Sequence, residues 1–379
     1  MKTTHKLLIF SDWYTPGFKA GGPIRSISNL VSALEQTIAI FIVTGNSDLN
    51  SSQPYENIES DTWLTIGKSK IIYLSKSNRS VKKIKHLIFE VKPDAIYLNS
   101  MYSIKYTLYP LLAARLIKNN FKIILAPRGM LQQGAIRNKN KKKQLFLLLF
   151  KMFGLDKSMV FHATDMQEKI DITEHFPLNK QINIINNFVI SPLLGEKKLL
   201  KEPGCLSLVY ISVISSKKNL LYLISLFNKV QGNIIFDVYG PVKDKVYWES
   251  FLAKINVMKG IKFTYKSDIP NYLVNETLAG YHFFILPTLG ENFGHAIYEA
   301  LSSGTPVILS DKTPWRNLEE KKAGWDIDLN KPEEFVQVLN KCMCMDEDEY
   351  NQWRLGAYNY AKKYYTENNP TENYIKLFS

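Results

Sequence analysis

Cysteine is scarce in this chain, with three among 379 residues: Cys205, Cys342 and Cys344. Their spacing offers neither a disulfide framework nor a zinc motif, which suits a protein kept in a reducing cytosol. Long apolar runs are missing as well. No stretch approaches the roughly 20 apolar residues of a membrane-crossing helix. The early run Leu7-Leu8-Ile9-Phe10 is short and soon followed by Ser11-Asp12, so no secretory leader is expected. His5, His86 and His175 have no clustered partners, so no metal site and no bound cofactor are expected. Gly21-Gly22-Pro23 is followed by no Gly-Lys-Ser/Thr and lacks dinucleotide spacing. Helix-turn-helix, zinc-finger and RNA-binding aromatic motifs are absent too, which weakens the case for nucleic acid as the partner behind a net charge of +13. An anionic membrane surface or a diphosphate ligand would account for that charge equally well.

What is present is the composition of a folded protein, 45% hydrophobic and 22% charged, long enough for two domains with separate cores. The N-terminal half alternates strands (6–11, 38–44, 95–98, 122–126, 159–162) with helices (24–34, 81–91, 104–118, 165–174), a pattern that predicts a doubly wound α/β sheet. Asp165 and Glu168 form a capping box at the head of the last helix. Near residue 190 the pattern breaks. Residues 191–204 read as a polar, lysine-rich linker, and a second alternating block starts with a strand at 206–212, followed by strands at 234–239 and 261–264. The expected division is 1–190, linker 191–204 and 205–354, with a helical, aromatic tail beyond.

The most telling segment is Gly290-Glu291-Asn292-Phe293-Gly294, followed by Glu299 and Gly304-Thr305-Pro306. It lies between a buried strand at 282–287 and a helix at 295–303, with another parallel strand at 307–310. Ligands of parallel sheets sit beyond the carboxyl ends of the strands, where this loop falls. The amides of Phe293, Gly294 and His295 would open the helix toward an anion such as phosphate. Glu291 and Glu299 would accept hydrogen bonds from hydroxyls on whatever the phosphate carries. On its own, Glu299 reads as part of a solvated helix face with His295, Ser302 and Ser303. A glycosidase pair also uses two carboxylates, but a phosphate cradle suits transfer from a sugar nucleotide better.

These residues resemble the signature of retaining family-four glycosyltransferases, strongest over 282–316, and most closely the bacterial subgroup that builds O-antigens, capsules and other surface polysaccharides. The resemblance implies a GT-B fold, two doubly wound Rossmann-like domains facing a central cleft, with the C-terminal tail from about 355 crossing back onto the first domain. It implies a nucleotide-sugar donor, a glycan or lipid-linked glycan acceptor, retention of configuration and no metal requirement. By the same likeness Glu291 contacts the donor sugar, Glu299 holds the ribose, backbone over Asn292–His295 binds sugar and diphosphate, and backbone near Asp268 and Ile269 meets the base. Lys218, with Lys217 beside it, matches the lysine of a cationic clamp on the diphosphate. The arginine of that clamp falls near Val213 and is absent, so either Lys217 or Arg128 would take its place. Gly21 and Gly22 match the glycine-rich loop of the N-terminal domain, with Arg25 just behind. Arg128 would stabilise departing diphosphate, bind an anionic acceptor or form a structural ion pair. A sugar-nucleotide epimerase and a non-catalytic nucleic-acid or glycan-binding protein are the alternatives.

His162, after a strand, reads as a packed residue and not as a base. Arg137, Lys139, Lys141, Lys142 and Lys143 precede Leu145-Phe146-Leu147-Leu148-Leu149-Phe150 and Met152-Phe153. That run is either a core helix with a solvated lysine entry or a surface element touching anionic lipid on the cytoplasmic face of the inner membrane.

Overall fold

The computed structural model describes residues 5–117, 121–132, 140–195 and 199–379. The chain forms two compact units, one of Met1–Phe188 with Asn369–Ser379, the other of Val189–Asn368.

The sheet of the first unit holds β1 (Lys6–Phe10), β2 (Ala39–Gly45), β3 (Trp63–Ile66), β4 (Ser69–Leu74), β5 (Ala95–Leu98), β6 (Lys122–Leu125), β7 (Val160–Ala163) and β8 (Ile182–Ile184). Their order is β3-β4-β2-β1-β5-β6-β7-β8. Only the β3–β4 pair is antiparallel. Along β1 the side chains alternate between two separate cores: Leu8 and Phe10 join Leu87 and Ile88 of the helix Val81–Val91, whereas Leu7 and Ile9 join Ile27 and Leu30 of the helix Gly22–Leu34. Both faces are therefore covered, as a parallel sheet requires. The last helix, Thr371–Phe378, closes the second of these faces, where Tyr374 stacks on Phe188 with ring centroids 4.8 Å apart.

The second unit holds β9 (Cys205–Ile211), β10 (Asn233–Tyr239), β11 (Ile261–Tyr265), β12 (Phe283–Leu286), β13 (Val307–Ser310) and β14 (Gly324–Ile327). They pair in parallel in the order β11-β10-β9-β12-β13-β14. Numbered within the unit this is 3-2-1-4-5-6, the dinucleotide-fold order, and the direction of winding reverses between β9 and β12.

Several expectations need correction. The tail does not leave the second unit at about 355. The helix Glu347–Glu367 stays there because Trp353 stacks on Trp325 at 4.0 Å and Ala357 and Ala361 are fully buried in that core. The helix expected over 104–118 is broken: a π-type turn, Ile104–Leu108, precedes a helix at Tyr109–Arg115, and Pro110, which has no N–H to donate, sits in its first turn. Residue 118, like Arg137, Lys139 and part of the linker (196–198), lies outside the described residues. On the Asp165 side the capping box holds. Asp165 Oδ1 accepts from Glu168 N at 2.7 Å, but the buried Glu168 carboxylate accepts from Thr164 N at 2.8 Å and from Gly129 N at 2.6 Å. It ties the ends of β6 and β7 together.

The lysine-rich run leads into the helix Asn140–Met152, which carries apolar residues on two faces. Leu147 and Phe150 are buried in the core, while Leu145, Leu148, Leu149 and Met152, at i, i+3, i+4 and i+7, point to solvent. The core-helix reading thus holds for one face of this helix.

Arg128 proves to be committed within the first unit. Its Nε donates to Asn99 Oδ1 at 2.7 Å, Nη1 to Asn187 Oδ1 at 2.5 Å and Nη2 to the Tyr97 hydroxyl at 2.8 Å. Its hydrogen-bond partners are two amide oxygens and a phenol, and the Glu168 carboxylate adds charge attraction. Tyr97 in turn donates to His162 Nδ1 at 2.7 Å, and His162 Nε2–H donates to Ile185 O at 2.9 Å, which fixes a neutral imidazole. Burial, and then the positive charge of Arg128, push the His162 pKa down to about 3 from an ordinary 6.5. Because the folded value is the lower one, the unfolded chain takes up a proton that the folded chain refuses as pH falls from 6.5 toward 3. Stability present above 6.5 is lost across that window, at a limiting slope of about 1.4 kcal/mol per pH unit. His162→Gln should therefore flatten the acid side of the stability profile. Denaturant melts between pH 7 and 4 check this, and a profile parallel to wild type would contradict it.

Candidate functional site

The reversal between β9 and β12 opens a crevice at the carboxyl edge of the second sheet. The loop 212–218 leaves β9 there and the loop 287–294 leaves β12. Backbone bonds join the two. Lys217 O accepts Leu289 N–H at 2.8 Å, and the buried Thr288 hydroxyl lies 3.3 Å from the same carbonyl and accepts Gly290 N–H at 3.2 Å. From the next strand Ser310 Oγ–H donates to Thr288 O at 2.5 Å, and Glu291 N–H donates to Lys312 O at 2.9 Å. The acidic loop is thereby pinned on both sides, and sequence reasoning passed over Thr288, Ser310 and Lys312, which do it.

At the centre, Lys218 Nζ is ion-paired with Glu291 Oε1, the side chains only 18% and 12% exposed. Lys218 ends a short 3-10 turn, Ser216–Lys218, and Asn219 follows in the left-handed region. This turn delivers the ammonium across the switch point to the carboxylate.

Beside the pair begins the helix His295–Ser302. Its N-cap is Gly294, at φ 79°, with no side chain capping the helix. Any Cβ at Gly294 would stand 2.7 Å from Ile297 Cδ1, so both the backbone angle and the space call for glycine. Gly294 O accepts from Ile297 N and Tyr298 N; by helix geometry the amides of His295 and Ala296 point out of the helix end. Aromatic packing holds this end in place. Phe293 is buried, its ring 5.3 Å from Trp315, and its carbonyl accepts Trp315 Nε1–H at 2.7 Å. Phe293 can therefore offer a ligand only its backbone.

Glu299 does not lie on a solvated face. It is 7% exposed, and Ser302 and Ser303 beside it are 0% and 1% exposed. Burial on that scale does not suit an idle surface carboxylate. Asp268 and Ile269 follow β11, two strands from the switch point, just after Ser267, whose carbonyl accepts Gly240 N–H at 2.9 Å. Gly240 permits a close approach: an added Cβ would meet Ser212 O at 2.0 Å. At the missing-arginine position, Val213 lies between Ser212, whose N–H bonds Tyr239 O, and Ile214, which bridges to Val242. Asn292 occupies the pinned loop between Glu291 and Phe293, and Lys217 contributes the carbonyl that joins the loops.

The first unit places Gly21 at φ 64° as N-cap of the helix Gly22–Leu34, with Pro23 in its first turn. An added Cβ on Gly21 would meet nothing within 4 Å. Arg25 N–H bonds Gly21 O. Arg128 belongs to this unit's internal network described above. Among the described residues no cluster of His, Cys, Asp or Glu could hold a metal ion, and no helix is long and apolar enough to cross a membrane.

Residues 196–360 match the family described as Glycosyl transferases group 1. A search of curated proteins returns no match. Among solved structures, WaaG, a glycosyltransferase involved in lipopolysaccharide biosynthesis, is 13% identical with a TM-score of 0.66, covering 99% of both chains. Anabaena Alr3699/HepE, solved with UDP and glucose, is 12% identical with a TM-score of 0.68, covering 98% of this chain and 99% of that one. Sucrose-phosphate synthase of Thermosynechococcus elongatus is 13% identical with a TM-score of 0.65, covering 95% and 94%. Residues 196–360 are thus a glycosyl transferases group 1 domain, carried by a glycosyltransferase enzyme of the GT-B fold.

Proposed function

We propose that this enzyme transfers a sugar from a nucleotide-sugar donor to a glycan acceptor, with retention of configuration, in the assembly of a bacterial surface polysaccharide. The observation that carries the donor reading is the Lys218–Glu291 pair at the switch point, beside a helix end with no side-chain cap. A diphosphate would seat on the amides of that helix end and on Lys218, where negative charge develops as the nucleotide departs. Glu291, released from Lys218, would hold a donor-sugar hydroxyl near the anomeric carbon. Glu299 would hold the ribose, and backbone at Asp268–Ile269 the base. The lysine and the amides meet the leaving-group charge without a metal. Solved relatives bound to UDP and UDP-glucose support a uridine nucleotide as the first to try, and the lipopolysaccharide enzymes among them support a surface glycan as the product.

The same reading places the enzyme against anionic lipid on the cytoplasmic side, where a lipid-linked acceptor would be met. The outward stripe of Leu145, Leu148, Leu149 and Met152 continues into exposed Phe153. Arg115 donates to Phe153 O at 2.6 Å, bringing the exposed Leu112 and Leu116 of its own helix alongside. Lys142 borders the stripe, the Lys143 and Lys151 ammonium groups lie over the Tyr102 and Phe176 rings, and no acidic residue occurs from 130 to 155. An apolar strip in a lysine-rich stretch without acidic residues complements an anionic bilayer surface.

In a panel of sugar nucleotides followed by mass detection, one donor should be consumed productively in the presence of acceptor, equally well with EDTA. Glu291→Ala should lower kcat/KM by at least about 100-fold, near 2.7 kcal/mol. Conversion of the donor alone would identify an epimerase and reject transfer. For the membrane contact, wild type should float with vesicles containing phosphatidylglycerol, and less so as salt rises. Lys142→Glu and Leu148→Ser/Met152→Ser should each stay behind; equal flotation of all three proteins would reject the surface.

A further inference from the structure

The first unit has its own switch point, between β1 and β5, and the side chains there are not used by the donor site. The loop after β1 brings Asp12; the loop after β5 brings Ser103. Ser103 Oγ–H donates to Asp12 Oδ1 at 2.8 Å and accepts Tyr106 N–H at 2.9 Å, so the hydroxyl is oriented from behind and the carboxylate is held in one direction. Asp12 O accepts Gly45 N–H at 3.4 Å from the end of β2. Arg79 lies close by, bonded to Asn46 Oδ1 at 2.9 Å and to Leu74 O at 3.1 Å. Asn99 Nδ2 donates to Pro23 O at 3.3 Å and fixes the start of the neighbouring helix beside the same edge.

Asp12 nevertheless stays partly exposed, as does Trp13 after it. Burial raises the Asp12 pKa, with the Ser103 hydrogen bond and Arg79 opposing it. A carboxylate drawn part-way out of water and fixed by a neutral donor has acceptor capacity that its surroundings only partly fill. Trp13 follows in the chain and is itself partly exposed, which adds an apolar surface next to the fixed acceptor. The open space beside Gly21, at the same carboxyl edge, leaves room for a ligand to approach.

We propose that Asp12, oriented by Ser103, accepts a hydrogen bond from a hydroxyl of the carbohydrate acceptor and so helps set which glycan the enzyme extends. This rests on the reading of the chain as a sugar-transferring enzyme and adds the acceptor-binding group on the first unit. The full-length protein is titrated with UDP and GDP by calorimetry, and with methyl and octyl glycosides by saturation-transfer NMR. Wild type should bind at least one glycoside. Asp12→Asn keeps the shape and the oxygen facing Ser103 but removes the charge, and should weaken that glycoside about tenfold, the loss of one charge-assisted hydrogen bond, with nucleotide affinity unchanged. Ser103→Ala, which frees the carboxylate to rotate, should weaken it by a smaller factor, and an unchanged melting temperature for either variant rules out misfolding as the cause. Equal glycoside binding by wild type and Asp12→Asn, or no glycoside bound by wild type, would overturn the proposal. Failure of wild type to bind UDP and GDP would overturn the donor reading instead, while a loss of glycoside confined to Asp12→Asn would still support this one.

Discussion

Lys218 and Glu291 hold opposite charges together at the one place in the second sheet where winding reverses, and the geometry around them follows from that. Mostly buried charges of this kind cannot be left single: removing one partner strands the other in a poorly solvated crevice. The loops that carry them are accordingly fixed by main-chain bonds through Lys217 O, Thr288 and Lys312 O, which do not depend on the charges themselves. The scaffold can stay in place while the ion pair opens. A ligand that supplies an anion for Lys218 and hydroxyls for Glu291 satisfies both groups at once, and a sugar diphosphate carries both.

From β5 onward the first unit holds a buried polar network built in the opposite way. Its histidine is kept neutral, its arginine bonds two amide oxygens and a phenol with the Glu168 carboxylate nearby, and a chain of bonds runs from Asn187 through Arg128 and Tyr97 to His162 and Ile185. That network is architecture. Its members come from β5, from the loop after β6, from β7 and from the segment after β8, so it clamps the half of the sheet beyond β1. The catalytic expectation for Arg128 meets this physical obstacle: withdrawing the guanidinium would leave Asn99 Oδ1, Asn187 Oδ1 and a buried phenol with a donor missing.

Much of this was legible in the sequence. The strand at 95–98, the helix at 81–91 and the strand at 307–310 fall where the apolar runs place them, because in a two-sided parallel sheet hydrophobicity is nearly continuous and turn residues mark its ends. The loop at 290–294 was readable since glycine, carboxylate and helix start have fixed meanings in that order. Less legible were features decided by tertiary contact. The β3–β4 hairpin is short and at the sheet edge, and the break at Ile104–Leu108 needs Ser103 as its cap. The long helix at 347–367 keeps to the second unit through Trp353, Ala357 and Ala361, whose spacing says only that one face is buried and not against what. Arg128 illustrates the same limit: a cation after a strand looks free until residues near and far in the chain, Asn99 and Asn187, fold against it.

The absent clamp arginine gains a physical meaning in this setting. On the proposed reading, a diphosphate brings two negative charges to a crevice whose central lysine already neutralises Glu291. With a valine at 213, Lys218 cannot serve both anions fully, and a free nucleotide that takes the ammonium leaves Glu291 unpaired in a mostly buried position. A nucleotide carrying its sugar does not incur that penalty, because the sugar hydroxyls reach the carboxylate as the phosphate claims the lysine. The ion pair would thus couple recognition of the sugar to recognition of the diphosphate, favouring the loaded donor over the spent nucleotide. An arginine at 213 would loosen that coupling by giving the diphosphate a second cation of its own. On that reading the ion pair would be a source of selectivity between donor and product, and the main-chain bonds that fix the two loops would keep the lysine near enough for both partners.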